Sequence, residues 1–559
     1  MKNSAVIISS VLFTLTAIFA NAADNTYYMW KGAERAWGEA DPLQASSWSS
    51  SNTGYVALPE GANVNSPDAN WVFDYGAYLP ISGRSDNIYY RIKSANLNLN
   101  SISVVNHNAT ETAYYSTDGV YHPKGGSTAI KIVSNVSNSV WNIGTFTYTG
   151  ANGTYDRGVA LGSSVNDECQ ADIVVGEMNI GQIGNVTQLN VGSDAAGTCY
   201  ATIDENNVKK GDAVSLADSG GPKSLTITGD FNIYGNSAIY MNVWDNSKDA
   251  LHSEENPDIS IGGVVRMVSG SGASPVWHVI SRSATVTWAT GDPAPSATET
   301  YVKLGGLEGN GKLTNNSRTL EASTLKLIFT NQTDCEFTGE FNDGQSDTVK
   351  TIMSVKMAGA DGKKQIIHAD SKFTGTVEVE SGTLIIKSTN ALGKLTMTGG
   401  AFGGIDGGVI VSGAEWFAGD FIFYNKDTLG SGDIDMIRID GAFVKSGDGK
   451  IGVDFDGFDP TVFIEDGTML DLISASEEER EGFSADANDD FYAKNLTNGF
   501  ANFEWNGDFL TVSFSNVPEP ATVAAILGGL ALAAAGAKAG RISWRGCGFA
   551  TFNFKYKNG

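Results

Sequence analysis

From about residue 97 to residue 418 the chain switches repeatedly between short runs of alternating apolar and polar residues and turns of Gly, Asn, Asp or Ser. Leu97–Val104 (LNLNSISV), Ser224–Asp230 (SLTITGD) and Thr324–Phe329 (TLKLIF) are three such runs. Successive side chains on a strand point to opposite faces, so each run suits a half-buried strand and not a helix. Amphipathic helical patterns are nearly absent, the best being the acidic segment Ser474–Glu481. Strands repeated without helical crossovers restrict the fold to the all-β class: a stacked β-solenoid or successive β-sandwich domains. Abundant glycine (66 residues) and scarce proline (13) fit many short strands joined by tight turns.

The clearest unit runs from Phe373 to Phe402. Val377, Val379, Leu384 and Ile386 can point inward from its strands while Glu378 and Glu380 face water. Gly375, Gly382, Gly393 and Gly399 fall where the chain must turn with positive φ or pass close to a neighbouring layer. One such coil cannot bury its apolar face alone; stacked coils can. With its Phe-Thr-Gly start, Ser381-Gly382-Thr383-Leu384, Ala391-Leu392-Gly393 and Gly399-Gly400, the unit resembles an autotransporter-associated β-strand repeat. A weaker copy begins at Phe337-Thr338-Gly339, preceded by Gly306–Gly311. The resemblance implies a right-handed parallel β-helix in an exported protein, with residues 97–418 as its coils.

Residues 23–96 carry Trp30-Lys31-Gly32, Trp37 and Trp48, similar to the Trp-rich opening of many bacterial surface proteins of this kind. Large aromatics there can close the exposed end of a solenoid, or offer indole faces to sugar rings; capping is the expected role. Residues 419–516 form an acidic C-terminal β region ending in two alternating strands around Asn506-Gly507, a type I′ hairpin signal.

Both ends of the chain read as sorting segments. Lys2, the apolar run Ala5–Ala20 and the small-x-small triplet Ala20-Asn21-Ala22 make residues 1–22 a signal peptide cut before Ala23, against the competing reading of an N-terminal anchor. At the other end, Val517-Pro518-Glu519-Pro520 precedes the apolar run Ala521–Ala537 and the cations Lys538, Arg541 and Arg545. As a helix that run is about 25 Å long against a hydrocarbon core of about 30 Å, so it inserts marginally, as suits a temporary anchor. The cations stay cytoplasmic and leave the body outside. A buried soluble helix is the alternative. Residues 517–541 resemble a PEP-CTERM sorting tail, which implies an exosortase-like membrane enzyme as processing partner and an exopolysaccharide-producing Gram-negative source. Residues 542–559 run on past the basic cluster, which the family's tail does not. The 43 residues after Asn516 are too few for an outer-membrane barrel of at least eight strands, which argues against a self-translocating autotransporter.

Four cysteines (Cys169, Cys199, Cys335, Cys547) make neither a disulfide scaffold nor a zinc site. Gly162-Ser163…Cys169-Gln170-Ala171-Asp172-Ile173 aligns without gaps on Gly192-Ser193…Cys199-Tyr200-Ala201-Thr202-Ile203. If the two copies are neighbouring layers, Cys169 and Cys199 stack near disulfide range; equally, both are small buried hydrophobes that never bond.

The net charge of −26 becomes −32 for residues 23–520, because six cations and no acids lie outside that span. Such a body repels nucleic acid and anionic membranes. No catalytic signature is present. His107, His122, His252, His278 and His368 form no ligand-spaced pair, and no nucleophile elbow, P-loop or zincin motif occurs. Asp454-Phe455-Asp456-Gly457-Phe458-Asp459 is similar to a calcium loop but lacks its twelve-position pattern, so no cofactor is expected beyond weakly bound calcium. Asp489-Asp490 is a carboxylate pair, but neighbours on a strand face opposite ways. The expected function is a non-catalytic, exported surface or matrix element, structural or adhesive, associated with exopolysaccharide. The alternative is a polysaccharide lyase or glycoside hydrolase on a parallel β-helix, which a groove holding clustered Lys/Arg and carboxylates would favour.

Overall fold

The computed structural model of the chain describes residues 25–29, 39–52, 55–74, 88–105, 114–115, 121–122, 130–152, 159–164, 169–182, 185–191, 202–203, 209–210, 221–241, 243, 253–270, 274–279, 299–315, 323–343, 351–368, 371–423 and 435–516. These residues form an all-β fold. One sheet holds 24 strands, and every pairing in it is parallel except Tyr28–Met29 against Trp48–Ser49. A ten-stranded sheet and a five-stranded C-terminal sheet accompany it.

The chain visits the large and the ten-stranded sheet in turn. Asn96–Val105, Ser139–Thr149 and Ala171–Ile180 lie in the first, and Ile130–Ser134, Val159–Ser164 and Asn185–Val191 between and after them in the second. Each return to the large sheet lands in parallel register on the strand before. Leu97, Trp141, Ile173, Leu225, Ile259, Val302, Leu327, Val355, Val377, Leu395, Ala414 and Phe443 are successive ladder partners. All twelve are buried. On the ten-stranded sheet Tyr90, Ile132, Leu161, Val191, Met241 and Val279 make a second such column. Both belong to one continuous core running from Tyr27 to Phe514. Each large apolar side chain removed from water contributes about 1.5–3 kcal/mol, and a one-residue slip would turn a whole strand's contribution outward.

A row of glycines marks where the long strands bend. A Cβ on Gly144 would lie 2.4 Å from the Asn100 carbonyl oxygen, on Gly176 2.2 Å from that of Gly144, and on Gly229 2.6 Å from that of Gly176. Each layer's backbone occupies the space a side chain on the next would need. In the repeat unit, a Cβ on Gly375, Gly393 or Gly399 would meet the carbonyl oxygens of Met353, Gly375 or Glu380 at 2.1–2.2 Å, while Gly382 turns with φ +73°. These are the two uses of glycine expected there. Val377, Val379, Leu384 and Ile386 are buried, as alternation requires.

Ile385, between the inward Leu384 and Ile386, is also fully buried, in a second small cluster with Ile366, Ala401, Ile405 and Ile422. Three local expectations are corrected. Thr202–Ile203 does not stack on Asp172–Ile173: the partner of Asp172–Val175 is Ser224–Ile227, and Thr202–Ile203 pairs antiparallel with Lys209–Lys210. The repeat therefore does not mark adjacent layers at these residues. Antiparallel strands Phe500–Asn506 and Phe509–Ser515 close the C-terminal sheet, but Asn506 stays in the ladder opposite Phe509 and Gly507 alone turns with positive φ (+61°). Positive φ at the first central position only is the type II′ pattern, not type I′. The acidic segment 474–481 holds a single 3₁₀ turn, Glu477–Glu479, and a short helix forms instead at Thr461–Asp466. There Asp459 accepts the Thr461 N–H at 3.1 Å, an Asp-Pro-Thr start legible in the sequence.

Candidate ligand surface

On the early strands of the large sheet, residues between two inward ones are mostly half-buried or exposed, and parallel register lines these up as rows from strand to strand. Asn98, Asn142, Val174, Thr226 and Ser260 form one row; Ser101, Thr145 and Glu177 a second; Ser103, Thr147, Asn179 and Asn232 a third. Rows step about 4.8 Å from strand to strand, and alternate residues lie about 7 Å apart along each strand. Side-chain amides bridge the layers: Asn142 donates to Asn98 at 2.9 Å, Asn100 to Asn70 at 2.8 Å and Asn232 to Asn179 at 2.8 Å. Amides and hydroxyls dominate these rows on Asn96–Val105 and Ser139–Thr149, while Ala171–Ile180 adds Asp172, Val174 and Glu177 beside Asn179.

The later strands carry charge on the same face. Arg266 lies between Asp230 and Glu308, its Nε 3.1 Å from the latter. Further on, Lys326 and Lys356 stand on Ser323–Phe329 and Thr351–Ala358, flanked by inward Leu325, Leu327, Val355 and Met357. Glu254, from the segment before Ile259–Ile261, reaches across the intervening strands and places one carboxylate oxygen 2.5 Å from Lys326 Nζ and the other 2.6 Å from Lys356 Nζ. Glu378 at 3.1 Å and Glu380 at 2.7 Å hold the two lysines from the other side. Nearby, the Tyr301 hydroxyl donates to Glu299. Burial opposes the charge on both lysines, but their carboxylate partners outweigh it and raise both above the ordinary lysine value. A catalytic base needs the opposite shift, toward the working pH. Through Glu254 the cluster ties a connecting segment to the sheet.

The other sequence candidates have local structural roles. Asp490 is buried against Lys445 Nζ (3.2 Å) and accepts from Ser484, so the Asp489-Asp490 pair is no paired acid and base. In the acidic turn, Asp454 accepts the Asp456 N–H and the Asn495 amide, and Asp459 accepts from Thr461 and Asn498. Among the described residues no group of three or more His, Cys, Asp or Glu is placed to hold a metal ion. Trp48 is fully buried, its centroid 5.0 Å from Trp71, and its indole donates to the Pro42 carbonyl, so it offers no platform for sugar. Trp30, Trp37 and Cys199 lie outside the described residues, as do the cleavage residues Ala20, Ala22 and Ala23 and the tail residues Val517, Pro518, Glu519, Pro520, Lys538 and Arg541. Cys169 precedes the strand Ala171–Ile180.

Sequence reading missed Glu254, and it weighed His368 without its carboxylate partners. The ring nitrogens of His368 each stand 3.0 Å from a carboxylate, Glu336 on one side and Asp406 on the other. These residues are far apart in sequence and come together only through stacking. Among the described residues no helix is long and apolar enough to cross a membrane. No family model, curated protein or solved structure matches this chain.

Proposed function

We propose that the chain is a right-handed parallel β-solenoid that works outside the cell as a non-catalytic structural or adhesive element. In this reading the signal peptide exports it, an exosortase-like enzyme processes its tail, and the mature rod associates with exopolysaccharide. The observation that carries the reading is the twelve-residue apolar column in unbroken parallel register, with the chain alternating between two sheets. Sandwich domains are built from antiparallel sheets and have no such column. Parallel strands joined by crossovers in one sheet are right-handed in almost all proteins. A rod of this kind presents long outward rows and needs no cleft. Among the described residues the lyase or hydrolase reading would stand on the Lys326–Lys356 and Arg266 clusters, whose cations are already held by carboxylates.

Mass spectrometry of the protein recovered from cell envelope and culture medium tests the export half. Trimming near Ala22 and near Pro518 is expected; a cytosolic protein with both ends intact would sink it. Release of unsaturated or reducing ends from a uronate polymer would replace the structural reading with the enzymatic one.

A further inference from the structure

Resting on that reading, we infer that the polysaccharide is a neutral one, and that it lies along the amide and hydroxyl rows of Asn96–Val105, Ser139–Thr149 and Ala171–Ile180. The argument begins with charge. Residues 23–520 carry −32, and these three strands contain Asp172 and Glu177 but no Lys or Arg. A polyanion approaching these three strands meets repulsion and finds no cation on them. On later strands Arg266, Lys326, Lys356 and Lys494 each already have a carboxylate partner, and Lys303 stands one strand beyond Ser260, away from these three. A neutral glycan pays no such penalty.

Chemistry and spacing point the same way. Each Ser, Thr or Asn side chain both donates and accepts, as every sugar hydroxyl does. Ser101, Ser103, Asn142, Thr145 and Thr147 are half-buried or exposed, while their neighbours Ile102, Ile143, Phe146 and Tyr148 are locked in the core, so the polar groups are held in place before any ligand arrives. Fixed donors and acceptors lose little freedom on binding. The rows continue from layer to layer, which suits an extended polymer engaged at many weak points more than a single sugar held in a pocket.

The experiment is co-sedimentation of the mature protein with an insoluble neutral β-glucan and with bead-linked polygalacturonate, at several ionic strengths. The wild type should sediment with the glucan, with little response to salt, and not with polygalacturonate. The variant Ser103→Ala/Asn142→Ala/Thr145→Ala/Thr147→Ala, shown to keep its circular dichroism, should lose at least tenfold in glucan binding. The control Thr396→Ala/Thr398→Ala, on the later strand Leu395–Gly404, should keep it. Preference for polygalacturonate, or a quadruple variant that binds glucan as well as the wild type, would overturn the inference and leave association with polysaccharide standing. Failure to bind either polymer would overturn both.

Discussion

Gly176 shows how a single residue sets the distance between layers. Its φ is not left-handed; what it needs is room, since a Cβ would press on the Gly144 carbonyl 2.2 Å away, and backbone cannot swing aside. Gly176→Ala should cost about 1–3 kcal/mol, the usual range for overpacking, read as a lower denaturant midpoint. Lys445 is the complementary case. It neutralises Asp490, whose side chain is only 2% exposed, so Lys445→Met strands a buried carboxylate. A loss of about 3–5 kcal/mol is expected, and replacing both partners with apolar residues should recover much of it. Neither role follows from sequence: a glycine in a strand and a lysine near an aspartate have many readings until the neighbouring layer is in view.

Among the elements, the closing hairpin faces the hazard of every terminal strand, a row of unpaired backbone groups. Phe500–Asn506 is the outermost strand of the five-stranded sheet, with Phe509–Ser515 on its inner side. Asn488, on the short helix Ala487–Asp490, covers part of the open edge: its side chain accepts the Phe503 N–H at 2.9 Å and donates to the Phe503 carbonyl at 3.0 Å. One amide thus takes the place of a strand's peptide group. Asn488→Ala should free that edge and produce concentration-dependent association in sedimentation velocity, where the wild type shows less. The hairpin itself was legible from its two alternating strands and the turn signal at Asn506-Gly507, although the turn proved to be Gly507-Asp508. Its guard was not, because nothing in the residues around Asn488 shows that its amide meets Phe503.

For the whole molecule, the Glu254 clamp joins residues a hundred positions apart in sequence and braces the stack across its layers. Burial disfavours the Glu254 charge, but hydrogen bonds and charge from Lys326 and Lys356 outweigh this and hold its carboxyl below the ordinary value of 4.5. A carboxyl depressed in the folded state stabilises fully above its unfolded value, and that contribution fades as pH falls through the folded one. Glu254→Gln should therefore lower the denaturant midpoint at pH 7, and the gap from wild type should close once the pH is well under 4.5. A gap that persists in acid would mean the segment is held by something other than these ion pairs.

Strand alternation and glycine-punctuated turns settled from sequence alone that this chain is all-β, and they named the inward residues of the repeat unit correctly. Those patterns are local, because side-chain period and φ requirement belong to single strands and turns. Which layer lies on which was decided by the tertiary structure: the aligned cysteine segments proved not to mark adjacent layers at Asp172–Ile173 and Thr202–Ile203. It also decided that Ile385 is covered and that Glu254 crosses to Lys356. Strand pairing depends on the length of each intervening segment, and that length varies from strand to strand without leaving any period for the sequence to show.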